Sequence, residues 1–397
     1  MQSVVSQSLV PVLWASTRRL LSITSTHAAQ RFVHKPVRQH QPAHRPPQAS
    51  SHVQAHSGFR AQQEFEDLIT AIHECADERA LSELVGQRVR DFSPAHTAAA
   101  FRRLAIICRL DKVRPEQSRS EESSVPANTT FASWAAQNSV VAVKETDWSV
   151  PMCAQRRDVL HHLGLRVLET EGELRAREVA CTLWALGSMN VVGGRNRLVE
   201  VLTRRLLAVA RSFSPLQLSS TLWALARIRG SAGRAPHDEG MLDVVYFEVL
   251  LKAPLFSPQE VSNTLWALAK MGDVSGTAPV VVALTRRARD VAAAFNPQQL
   301  SNSLWALARL SAPLDPTLLS AILAAAPPTA ARFSPQELSN TLWALGRFNQ
   351  AVPRALLAAL SRRGALVAPR LNTPELTMAL WGLARLSSSS SSSSTPA

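Results

Sequence analysis

Along residues 333–348 the apolar positions Leu338, Leu342, Leu345 and Phe348 fall on one arc of a helix. Polar and small residues occupy the opposite arc. The same pattern returns in FSPLQLSSTLWALARIR from Phe213, FSPQEVSNTLWALAKMG from Phe256 and FNPQQLSNSLWALARLS from Phe295. LRAREVACTLWALGSMN from Leu174 and LNTPELTMALWGLARLS from Leu371 are looser copies. Each contains one tryptophan: Trp184, Trp223, Trp266, Trp305, Trp343 and Trp381, at steps of 39, 43, 39, 38 and 38 residues. A fixed period in this range predicts stacked supersecondary units and an extended binding surface.

The start of each phrase predicts a helix N-terminus. Ser334 caps, Pro335 takes the first helical position, and Glu337 closes a capping box. Phe333 and Leu338 form the hydrophobic staple. Ser214/Pro215/Gln217, Ser257/Pro258/Glu260 and Asn296/Pro297/Gln299 repeat the device, and Asn372/Glu375 keeps it with the proline displaced to Pro374. Gly230 and Gly272 are stop signals. A second helical pattern precedes each phrase, as in residues 197–212, 278–294 and 353–370. No sustained alternation with turn dipeptides points to a sheet. The expected fold is all-α, a solenoid of helix pairs of about 38–40 residues each.

At about 100° per residue the tryptophan lies opposite the apolar arc. With it stand Ser262, Ser301 and Ser339 at −4, Asn263, Asn302 and Asn340 at −3, and a cation at +4. That cation is Arg227, Lys270, Arg309, Arg347 or Arg385; in the first copy Ser188 breaks the column. A second set of cations forms doublets: Arg204/Arg205, Arg286/Arg287 and Arg362/Arg363, nine and eight residues before Phe213, Phe295 and Leu371. Cations in these registers suit phosphates and amides suit base edges. The plainer alternatives are helix-dipole complementarity and a solvated basic face. The tryptophans are read as packing, with base stacking as the alternative. The small residue at +3 (Ala226, Ala269, Ala308, Gly346, Ala384) suggests a groove that a neighbouring tryptophan fills.

The formal charge is +13. Residues 1–63 hold no acid but carry Arg18, Arg19, Arg31, Lys35, Arg38, Arg45 and Arg60. That composition, with the amphipathic segment LVPVLWASTRRLLSITS, predicts a transit peptide, mitochondrial (matrix) first and chloroplast second. Four scattered cysteines without a CxxC pair suggest neither a disulfide framework nor a zinc site. No apolar run is long enough for a membrane span. Catalytic motifs are absent, so a non-enzyme without metal, cofactor or small-molecule substrate is expected.

The organisation expected is a disordered transit peptide and linker over 1–60, a degenerate helical repeat over 61–111 (FSPAHTAAAFRRLAIICRL, with Arg102 in the tryptophan's place), and an irregular insertion or decayed repeat over 112–150. The repeat array spans 151–386, and a disordered Ser-rich tail occupies 387–397.

The phrase FSPQxLSNTLWALAR resembles the repeat of octotricopeptide-repeat proteins of algal organelles. It is also similar to repeats of FAST-kinase-like and RAP-domain proteins and of a subunit of the trypanosome RNA-editing substrate-binding complex. The resemblance implies an α-solenoid that binds single-stranded organellar RNA and acts in its processing, stability or translation, with other RNA-processing proteins as further partners. Such proteins often carry a RAP domain; here the array runs into polyserine, so no nuclease activity is expected. The alternative function is a protein–protein interaction scaffold of the HEAT or armadillo kind in an organelle.

Overall fold

The computed structural model describes residues 51–111, 153–190, 197–229, 238–272, 278–311, 316–348 and 352–391. The chain divides into two compact units, Met1–Arg60 and Ala61–Ala397, and the array lies in the second. The expected insertion over 112–150 and most of the expected transit segment lie outside the described residues. The helices are α1 (Ser51–Glu74), α2 (Glu78–Arg88), α3 (Pro94–Asp111), α4 (Ala154–Glu169), α5 (Ala176–Ser188), α6 (Arg197–Val209), α7 (Pro215–Arg229) and α8 (Asp238–Lys252). They continue as α9 (Pro258–Met271), α10 (Ala278–Asp290), α11 (Pro297–Leu310), α12 (Pro316–Ala330), α13 (Pro335–Phe348), α14 (Arg354–Val367) and α15 (Thr373–Ser391). Helix thus begins at Ser51, ahead of the expected start, and α15 runs into the serine tract.

The expected all-α solenoid is what forms: no strand occurs among the described residues. Odd-numbered helices α3 to α15 lie side by side in one layer, and even-numbered helices α2 to α14 form the second. Each capped helix from α3 to α13 is covered by the outer helix that follows it, as α13 is by α14. A 3₁₀ turn not foreseen in the sequence joins outer to capped helices at Glu171–Glu173, Ala210–Ser212, Ala253–Leu255, Ala292–Ala294 and Ala368–Arg370. It delivers the following Leu or Phe to the core: Leu174, Phe213 and Phe256 are at most 1 % exposed.

The capping boxes form. The Ser334 N–H donates to Glu337 Oε2 at 2.7 Å, and the Glu337 N–H donates to Ser334 Oγ at 3.3 Å. Asn372 and Glu375 do the same at 3.0 and 2.9 Å. Each cap contributes about 1 kcal/mol. Gly272 ends α9 in the left-handed region with φ 73°, where a side chain would be strained. In α3 the box uses a histidine: the Ser93 N–H donates to His96 Nδ1 at 3.1 Å, while His96 Nε2 reaches the Phe65 carbonyl at 3.1 Å. That arrangement requires the neutral ring, protonated on Nε2. Burial pushes the His96 pKa below the usual histidine value.

The capped layer is packed backbone against backbone. A Cβ on Gly187 would lie 2.8 Å from Ala224 Cα, and one on Gly346 would lie 2.9 Å from Gly382 Cα. The small residue at +3 therefore meets the small residue at +1 of the next repeat. It does not make a groove for a tryptophan, as the sequence suggested.

Candidate nucleic-acid interface

Because each capped helix from α5 to α13 has a capped neighbour on both flanks, far more of it is buried than one amphipathic stripe. The serines at −4 are in the interior: Ser262, Ser301 and Ser339 are at most 1 % exposed. Ser301 and Ser339 donate to carbonyls of their own helices, Gln298 and Pro335. The serine column is therefore not part of any binding face. What remains toward solvent is a narrow stripe opposite the outer layer.

The stripe is best seen on α9, α11 and α13. Asn263, Asn302 and Asn340 are half-buried and make no hydrogen bond to a described residue. Trp266, Trp305 and Trp343 follow three residues later, also half-buried. Lys270, Arg309 and Arg347 are exposed one turn beyond. Gln259, Gln298 and Gln336, exposed four residues before each asparagine, complete the stripe. Sequence reasoning missed these glutamines, although their spacing of four from the asparagine column was there to read. The carboxylates of these helices, Glu260 and Glu337, are engaged in capping boxes, so none opposes the cations along the stripe.

Two pairs of tryptophans from adjacent repeats are in tilted ring contact. Trp223 and Trp266 have ring centroids 6.4 Å apart, and Trp343 and Trp381 are 6.2 Å apart. Three of the +4 arginines lie over the tryptophans of their own helices. The guanidinium carbons of Arg227, Arg309 and Arg385 lie 5.0, 5.5 and 6.0 Å from the centroids of Trp223, Trp305 and Trp381. Each such contact contributes about 0.5–1 kcal/mol at an exposed site. Nε of Arg227 donates to the Gly187 carbonyl at 2.7 Å, and Nε of Arg309 to the Ala269 carbonyl at 3.0 Å. Both acceptors stand at the C-terminal end of the preceding capped helix, where the helix dipole favours a cation. Arg347 reaches Ser311 Oγ at 3.4 Å in the same way. These arginines bind neighbouring repeats together. Lys270, with no partner among the described residues, is the least committed cation.

Ser188 does not interrupt the column. Arg109, from α3, donates to Ser188 Oγ at 3.1 Å and lies 5.0 Å over Trp184, supplying the missing cation from the repeat before. Burial, and then the Arg109 charge, push the Arg227 pKa down, yet a guanidinium keeps its charge near neutrality.

The doublets do not join this stripe. They belong to the outer layer, and adjacent members face apart. Arg204, Arg286 and Arg362 are exposed, and Arg204 pairs with Glu171 at 3.4 Å. Arg205, Arg287 and Arg363 are half-buried clamps. Their Nε atoms donate to the carbonyls of Leu174, Phe256 and Phe333 at 2.7, 2.7 and 2.5 Å, ahead of the capping box of the preceding repeat. Arg166 does the same for Phe92 at 2.7 Å. In α8 the clamp register holds Glu248 instead, and Lys252 one turn later reaches the Phe213 carbonyl at 2.9 Å while pairing with Glu248 at 2.8 Å. The recurrence that drew attention to the doublets is thus a packing device.

The family model for the N-terminal domain of the Tbc2 translation factor matches residues 230–388. The match covers less than half of the chain, and it takes in α9, α11 and α13, the helices with the clearest stripe, together with most of α15. No curated protein matches this sequence. Among the described residues there is no cluster of three metal-ligating side chains, and no helix is long and apolar enough to cross a membrane.

Proposed function

We propose that this protein is an organelle-targeted RNA-binding solenoid, mitochondrial or chloroplast, that acts in RNA processing, stability or translation. The observation that carries the reading is the stripe of Gln, Asn, Trp and cation repeated at one-turn intervals on α9, α11 and α13, with amides that no described residue engages. Donor–acceptor amides beside cations, without opposing acids, suit a single strand whose bases are read at their edges and whose phosphates are neutralised. Arginine-covered indoles are scaffold rather than open stacking platforms. The Tbc2 match favours translation among the possible roles, and the resemblance of the repeat to octotricopeptide-repeat proteins favours an organelle.

Filter binding of a single-stranded RNA across salt concentrations tests this. Lys270→Gln should reduce the slope of log affinity against log salt by about 0.7. Replacing Asn263, Asn302 and Asn340 by Ala should change sequence preference more than salt slope. RNA binding that neither change alters, in proteins that still fold, rejects the stripe as the site.

A further inference from the structure

In the array, three positions of each capped helix lie beneath the next outer helix. On α13 they are Leu338, Leu342 and Leu345, 2 %, 5 % and 2 % exposed under α14. On α15 the same positions hold Leu376, Leu380 and Leu383, and they are 44 %, 57 % and 47 % exposed. The other end of the unit is finished differently. There α1 turns Gln62, Gln63, Glu64, Glu66 and Asp67 to solvent above buried Leu68 and Ile72. The leucine face of α15 is instead the apolar surface that the rest of the array buries under an outer helix.

The array itself shows what this face accepts. α14 covers α13 with Leu356, Ala359 and Leu360; Gly364 lets Leu338 approach, its would-be Cβ lying 3.8 Å from Leu338 Cδ2. Arg363 clamps the Phe333 carbonyl. On α15 the equivalent of Phe333 is Leu371, which receives no such arginine among the described residues. We propose that the exposed face of α15 is a docking site for a partner helix of the outer-helix kind. That helix carries a Leu/Ala stripe, a small residue at the crossing, and an arginine that closes on the Leu371 carbonyl. The site extends the interface already repeated along the array and is separate from the RNA stripe, so it stands or falls independently of RNA binding.

The test uses the full-length protein and a helix-stapled synthetic peptide with the sequence of Pro353–Leu371. Fluorescence anisotropy should show saturable binding. Leu380→Asp in the protein should weaken it at least tenfold, and Arg363→Ala in the peptide several-fold. Leu380 is on the surface, so its thermal unfolding profile by circular dichroism should match the parent; Leu383→Asp serves as a second variant should Leu380→Asp not fold. Absence of saturable binding overturns the proposal. So does binding that neither aspartate weakens, because the peptide would then be replacing the protein's own α14. A dimer by light scattering that Leu380→Asp converts to a monomer also overturns it, since the face would belong to a second copy of this chain.

Discussion

Arg286 and Arg287 are chemically identical neighbours, and the structure assigns them opposite consequences. Arg287 is half-buried and donates Nε to the Phe256 carbonyl at 2.7 Å, fastening α10 to the start of α9. Arg286 is exposed on the outer layer. A hydrogen bond from a charged donor is worth about 1.5–3 kcal/mol, and removing it leaves the Phe256 carbonyl half-enclosed without its donor. Arg287→Ala should therefore destabilise by about 2–3 kcal/mol. Arg286→Ala should fall within about 0.5 kcal/mol of the parent. Arg287→Lys should recover part of the loss, because Lys252 performs the same task on Phe213. A solenoid need not unfold in one step, so a single midpoint would blur the effect. Hydrogen exchange resolved by peptide is the suitable assay. Protection should fall in α9 and α10 for Arg287→Ala and remain unchanged for Arg286→Ala. Equal losses from the two variants, or a loss spread evenly over the array, would refute the clamp and return both residues to the basic face that the sequence suggested.

Two further outcomes follow from the same repeats. Arg205 donates Nε to the Leu174 carbonyl at 2.7 Å, so Arg205→Ala should destabilise by about 1.5–3 kcal/mol, read as lost exchange protection in α5 and α6. His96 caps α3 only when neutral, and its folded pKa is depressed, so the stability it confers is present above the unfolded value of about 6.5 and is lost as pH falls toward the lower folded value; His96→Gln, the box residue used at Gln217 and Gln299, should remove that acid sensitivity of the first repeat in melts taken between pH 8 and pH 5.

The period, the two helices per repeat, the capping boxes and the core arc were legible in the sequence because they depend on local chemistry. Ser334 and Glu337 are three residues apart, and Leu338, Leu342 and Leu345 share a face by helical geometry alone. The candidate stripe was half legible. The asparagine, tryptophan and cation columns were found, and Gln259, Gln298 and Gln336 lay in the same register. What the sequence could not decide was which polar residues another helix would claim. Ser301 is buried because a capped helix has neighbours on both flanks, and that depends on Gly187 meeting Ala224 and Gly346 meeting Gly382 across repeats. Arg286 and Arg287 are indistinguishable in one dimension. Only the second reaches a carbonyl thirty-one residues earlier, because stacking brings α10 against the start of α9. Local spacing determines each helix; the contacts between repeats decide which of its side chains remain available to a partner.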